Sequence, residues 1–146
     1  RRLIGLTHIG PYIQINRTYA TLGAELATRG LWPQAQHMAA IYFDDPLSTP
    51  ADRLHSFAGV IVGPDVSCAP PLEERLVPGG RHAVMQFTGP YTGLAAAYDW
   101  FFGPWLAESG AALRDAPSWE LYLNSPMDTA PEDLQTLIFM PLEDEE

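Results

Sequence analysis

The sequence contains no lysine, and all eight of its basic residues are arginine. Schiff-base chemistry through a lysine amine and the lysine of a phosphate-binding loop are therefore excluded. Cysteine is nearly absent. Cys68 stands alone, which excludes an internal disulfide framework and a cysteine-clustered zinc site. No apolar run approaches the roughly 18 residues that a membrane-spanning helix needs. The chain opens Arg1-Arg2-Leu3-Ile4 without a signal-peptide pattern, so it reads as a cytoplasmic protein, or a piece of one, with no membrane partner. The sequon Asn16-Arg17-Thr18 then reads as chance. His8, His37, His55 and His82 show neither i,i+4 pairing nor His-Glu-x-x-His, and no metal is expected. Ser109 and Ser118 lack a nucleophile-elbow context, and no Gly-x-Gly-x-x-Gly follows a strand, so no cofactor is expected. Positive charge is scarce as well: 8 basic against 18 acidic residues leave a net charge of -10. Such a chain repels nucleic acid, and direct contact with it is not expected.

What is present suits one globular domain of 146 residues, 47% hydrophobic and 18% charged. Its most informative feature is internal. Gly10-Pro11-Tyr12 recurs as Gly89-Pro90-Tyr91 and Tyr19 as Tyr98, at an offset of 79. From Gly23 the offset is 80: Gly23, Leu26, Ala27 and Gly30 match Gly103, Leu106, Ala107 and Gly110, and Tyr42, Pro46, Thr49 and Leu54 match Tyr122, Pro126, Thr129 and Leu134. Solenoids need three or more units, so two long units read as a duplicated half-domain with pseudo-two-fold symmetry.

Each unit reads as β-α-β-α-β. Leu3–Ile9 and His82–Thr88 suit strands that run into the Gly-Pro-Tyr breaker. Residues 13–29 and 92–108 suit helices stopped by Gly30 and Gly110, and Leu94, Tyr98, Phe101, Phe102 and Trp105 form an amphipathic face on the second. Strands follow at Ala39–Phe43 and Trp119–Leu123. Short helices open at Thr49 and Thr129, each with an acid three residues on, and strands at Phe57–Val62 and Thr136–Met140 close the units. The divisions are module one 1–62, a linker 63–80, module two 81–142 and an acidic, solvated tail 143–146. Inside the linker, Leu72–Val77 suits an extra strand hairpinned to 82–88 across Pro78-Gly79-Gly80. The offset places a counterpart strand before Arg1, so a preceding segment is expected.

Glu120 stands out, because it sits mid-strand in Ser118-Trp119-Glu120-Leu121-Tyr122-Leu123-Asn124. Alternation puts it on the face of Tyr122, opposite Trp119, Leu121 and Leu123. Unit one has Ala40 in its place but keeps a tyrosine, Tyr42. A buried, unpaired carboxylate costs several kcal/mol. Two readings stand beside each other: a carboxylate exposed or paired with Arg81 or Arg114, or an acid on the floor of an aromatic pocket awaiting a cation. Phe101, Phe102 and Trp105 at helical spacing read as core, with pocket lining the second reading. Tyr12 and Tyr91 read as structural.

With these residues in hand, the chain resembles the GyrI-like small-molecule-binding domain. The resemblance rests on the duplicated Gly-Pro-Tyr, on Ile41-Tyr42-Phe43-Asp44-Asp45-Pro46, on Pro78-Gly79-Gly80-Arg81, and above all on the run from Ser109-Gly110 through Leu113-Arg114-Asp115-Ala116-Pro117 to Asn124, closed by Met140-Pro141-Leu142. It implies an α+β fold: two modules in one curved mixed sheet, helices on one face, and a central ligand cleft near the pseudo-dyad. It carries the family glutamate onto Glu120 and a strand tyrosine onto Tyr42. The ligand-binding set expected is Glu120, Tyr42, Tyr122, Trp105, Phe101 and His8. Three roles follow for such domains. One is the effector-binding part of an AraC-type transcription regulator, taking lipophilic or aromatic cations as a multidrug sensor, with DNA contacted through a separate helix-turn-helix domain. The second is hydrolysis of reactive cyclopropane-bearing natural products, with Glu120 as general base and Tyr42 as proton donor. The third is a stand-alone gyrase-inhibitor-like protein with DNA gyrase as partner.

Overall fold

The apolar runs read as strands are strands. The computed structural model describes residues 1–77 and 79–144, and its chain divides into two units, Arg1–Gly79 and Gly80–Glu146. Pro78 of the expected turn and Glu145-Glu146 of the tail lie outside the described residues.

Unit one holds β1 (Arg2–Ile9), α1 (Ile15–Thr28), β2 (Met38–Tyr42), β3 (His55–Val62) and β4 (Glu73–Leu76). Their order across the sheet is β4-β1-β3-β2, and every ladder is antiparallel. The β1–β3 pair passes through a glycine step, Gly5 opposite Gly59. A Cβ on Gly5 would fall 2.0 Å from the Ala58 carbonyl oxygen, so this close strand approach admits no side chain. Gly10 then turns the chain at φ +127°, a conformation that suits glycine, and its N–H donates to the Leu54 oxygen at 2.8 Å. A single 3₁₀ turn at Tyr12–Gln14 leads into α1. Leu22 and Leu26 of α1 bury themselves against Ile4, Val60 and Val62.

Unit two holds β5 (His82–Thr88), α2 (Leu94–Trp100), a five-residue π turn (Phe101–Trp105), α3 (Leu106–Ser109), β6 (Ser118–Tyr122) and β7 (Gln135–Pro141). The order is β6-β7-β5, again antiparallel. Pro104, which has no N–H to give, lies within the π turn. Gly110 ends the helix in the left-handed region at φ 72°. Phe101 and Ala97 pack on Ile138, Met140 and Leu142. Glu120 lies opposite Ile138, and Ile138 opposite Met85. Cross-strand partners share a face, so Glu120 points to the side of the sheet that carries the helix.

Within each unit the third strand in sequence lies between the first two, the same connectivity in both. Three expectations are corrected. The ladders within each unit are antiparallel, where a mixed sheet was expected. The second helix of each unit is one 3₁₀ turn, Ala51–Arg53 and Pro131–Asp133, without a side-chain cap. Leu54 and Leu134 are already extended and buried there, which commits the chain to the next strand. The linker strand does not hairpin onto 82–88. It is β4, and it lies on β1 with Arg2 opposite Leu76, fixed by an Arg2–Glu74 ion pair at 2.9 Å and by the Thr7 N–H donating to Glu73 Oε2 at 3.0 Å. The described tail residues, Glu143 and Asp144, are exposed as expected, with the Glu143 N–H donating to the Ala112 oxygen at 2.8 Å.

Candidate functional site

Glu120 is 2% exposed, and strand β6 leaves its carboxylate facing the helix. Burial of a charge requires donors, and two phenols supply them. The Tyr98 hydroxyl donates to Oε2 at 2.5 Å, from one turn into α2. The Tyr122 hydroxyl donates to Oε1 at 2.7 Å, two residues along the same strand face. Aromatic rings hold these phenols. Tyr98 stacks on Phe102 with centroids 5.6 Å apart, and Tyr91 lies 5.6 Å from Tyr122. Burial pushes the Tyr91 phenol above its ordinary pKa, and the nearby Glu120 charge adds to the rise. On the same face, Thr136 lies opposite Tyr122, and its hydroxyl is buried with no hydrogen-bond partner among the described residues. Such an unmet hydroxyl is a donor or acceptor in waiting.

The other expected residues fall into separate surroundings. Phe101, 2% exposed, sits 5.1 Å from Trp105. Both contribute to a groove of about 400 Å³ beside β5 that also involves Trp100 and Met85 and does not include Glu120. Phe101 lies 5.7 Å from Phe102, the ring that stacks on Tyr98. Tyr42 belongs to unit one, where its ring meets Tyr12 edge-on at 4.8 Å. His8, Ser56 and Tyr42 form one row across β1, β3 and β2. The His8 ring is committed to the fold: Nε2 donates to the Pro11 oxygen at 3.0 Å, which leaves Nδ1 to accept from Thr18 Oγ1 at 2.7 Å. Arg114, considered as a partner for Glu120, lies instead against Gly80, with Nε and Nη2 buried and without a hydrogen-bond partner among the described residues.

Sequence reasoning did not place Tyr98 and Tyr91 beside Glu120. Tyr98 had a signal, because it lies on the helix face that includes Leu94, Phe101 and Phe102, the face that must cover the strand bearing Glu120. Tyr91 was read as part of the Gly89-Pro90 corner. Tyr12, its counterpart, is structural as expected, donating to the Asp44 oxygen at 2.7 Å.

Residues 1–143 match the family described as GyrI-like small molecule binding domain. The chain belongs to this family. The GyrI-like fold recurs in solved structures of low identity. The EcmrR C-terminal domain is 16% identical with a TM-score of 0.73, over 99% of this chain and 91% of that one. EcmrR has also been solved in complex with DNA; there the match is 16% identical with a TM-score of 0.74, over 99% of this chain and 54% of that one. SAV2435 bound to tetraphenylphosphonium is 15% identical with a TM-score of 0.63, over 97% and 88% of the two chains. A hydrolase encoded by lin2189 from Listeria innocua is 13% identical with a TM-score of 0.59, over 97% and 86%. At these identities the likeness is one of fold. Among the described residues of this GyrI-like domain, no helix is long and apolar enough to cross a membrane, and no group of three or more His, Cys, Asp or Glu is arranged to hold a metal ion.

Proposed function

We propose that this GyrI-like domain is the effector-binding part of a cytoplasmic AraC-type transcription regulator and that its ligands are lipophilic aromatic cations. The observation that carries this reading is a carboxylate 2% exposed, held by phenols and ringed by aromatic side chains. A cation beside such a carboxylate gains a charge partner in a poorly hydrated setting. Each well-placed ring adds about 0.5–2 kcal/mol of cation–π attraction. The net charge of -10 favours approach of cations and opposes contact with DNA by this domain itself, which leaves DNA binding to a separate domain. Hydrolysis is the weaker reading, because a general base must take a proton from water and hydrogen bonds donated by two phenols to Glu120 stabilise the carboxylate and lower its basicity.

Calorimetric titration with tetraphenylphosphonium and with neutral triphenylphosphine oxide tests this. Glu120→Gln keeps the shape and removes the charge. Loss of a charge-assisted interaction of about 1.5–3 kcal/mol should weaken the cation about 10- to 150-fold and leave the neutral compound nearly unchanged. Equal cation affinity in the wild type and the variant would remove Glu120 from ligand recognition.

A further inference from the structure

We propose that β5 is a self-association site: its outer edge pairs antiparallel with β5 of a second copy of the chain, with the two-fold axis passing beside Met85. The edge is open, because among the described residues β7 is the only strand paired with β5. Its main-chain polarity follows from two hydrogen bonds that flank it. The Leu142 N–H donates to the Arg81 oxygen at 2.9 Å, and the Gly89 N–H donates to the Leu134 oxygen at 2.8 Å. Residues 81 and 89 thus turn their main chain towards β7, and by alternation so do 83, 85 and 87. His82, Val84, Gln86 and Thr88 turn their N–H and C=O groups the other way, away from β7. Val84 is 51% exposed, and Gln86 and Thr88 are exposed as well.

Charge and side chains specify what fits this edge. β4, the outer strand of unit one, reads Glu-Glu-Arg-Leu, three charges in four residues, a composition that discourages a further strand. β5 reads His-Ala-Val-Met-Gln-Phe-Thr, with no acid, lysine, arginine or proline. In a chain of net charge -10, two copies repel each other over most approaches, and an edge without charge lets them meet. The strand is also complementary to itself. Antiparallel pairing about Met85 sets every outward-turned residue against another: Val84 against Gln86 of the second copy and His82 against Thr88, each pair exchanging main-chain bonds in both directions. Met85 then faces Met85, and Ala83 faces Phe87, a small side chain against a ring. Met85 lies on the helix side of the sheet, opposite Ile138, and there it lines the groove of about 400 Å³ together with Trp100 and Trp105. Trp100 is 49% exposed. A second copy covers apolar surface along this groove while it satisfies the strand edge. An isologous contact of this kind uses the edge of both copies and closes at a dimer. It is independent of the small-molecule reading, which concerns Glu120.

Sedimentation equilibrium of the whole chain tests this. A monomer–dimer equilibrium is expected between micromolar and millimolar protein, with no larger species. Gln86→Pro removes an outward N–H and leaves the ladder with β7 intact; it should abolish the dimer with circular dichroism unchanged. Val84→Lys, which charges the exposed edge, should weaken the dimer about tenfold. Leu76→Lys on β4, where Leu76 is 69% exposed, should leave it unchanged. Oxidative cross-linking in a Cys68→Ser background reads the register. A non-hydrogen-bonded pair brings its Cα atoms to about 4.5 Å, within disulfide range, so Met85→Cys should cross-link to its own copy and Val84→Cys should not. A monomer at every concentration would overturn the proposal and mean that the edge takes a different partner or none. A dimer that survives both β5 substitutions, a dimer that Leu76→Lys dissociates, or cross-linking at Val84→Cys in preference to Met85→Cys would overturn it as well.

Discussion

Removal of one oxygen atom, in Tyr98→Phe, isolates what holds the buried carboxylate. The ring stays, so its stacking on Phe102 at 5.6 Å is retained. The hydroxyl that donates to Glu120 Oε2 is lost, and Glu120 is 2% exposed, so water is a poor substitute. A hydrogen bond to a charged group contributes about 1.5–3 kcal/mol, which in a chain of this size lowers Tm by about 3–12 °C. Unit one supplies an internal control. Tyr19, at the same place by the offset of 79, donates to the neutral Ala39 oxygen at 2.6 Å. Tyr19→Phe should cost only about 0.5–1.5 kcal/mol. Tyr122→Phe removes another donor to Glu120 and should likewise cost about 1.5–3 kcal/mol. The Tyr98→Phe/Tyr122→Phe pair should cost more than the sum by about 0.5 kcal/mol or more, because both donors share one carboxylate. Urea denaturation followed by tryptophan emission measures all four. If Tyr98→Phe costs no more than Tyr19→Phe, or falls within 0.5 kcal/mol of wild type, the phenol does not hold the charge and the reasoning fails.

Three further outcomes are expected. Spectrophotometric titration of tyrosinate should find Tyr91 ionising above the ordinary value of 10.0; Glu120→Gln should lower it part of the way, since burial, the larger cause, remains. Because the folded-state pKa is raised, the protonated Tyr91 supports the fold fully below pH 10.0, and that support is lost as pH climbs through the raised value; in alkaline denaturation the stability difference between wild type and Tyr91→Phe should be constant below pH 10.0 and should shift against the wild type above it. Gly5→Ala puts a methyl group 2.0 Å from the Ala58 oxygen and 2.6 Å from the Gly59 Cα, both backbone atoms that cannot step aside; destabilisation of about 3 kcal/mol or more should appear in thermal melts, and a neutral result would mean β1 and β3 do not approach so closely. Duplex DNA should bind the isolated 146 residues weakly at physiological salt, given the charge of -10; a salt-sensitive, submicromolar gel shift would contradict this.

The sequence by itself determined the elements that depend on local pattern. Apolar runs ending in Gly-Pro-Tyr gave β1 and β5, since the pattern of strand and breaker lies within ten residues. Period two put Glu120 and Tyr122 on one face, and the hydrogen bond between them bears that out. Family motifs over most of the chain were legible for the same reason, being contiguous. Tertiary structure decided whatever depends on residues far apart in the chain. The segment at 73–76 could extend as a strand anywhere; its ladder with β1 and the burial of Leu72 in the unit-one core, contacts between residues some 70 positions apart, put it there. Thr49 and Thr129 carry helix-start signals that lose to the burial of Leu54 and Leu134, because a core position commits more free energy than a cap. His8 looked available in sequence and is spent on Pro11 and Thr18. Glu120 was visible as an acid in a strand, but its partner was not: Tyr98 lies 22 residues away on a helix, and only packing of that helix on the sheet brings a phenol, rather than an arginine, to the charge.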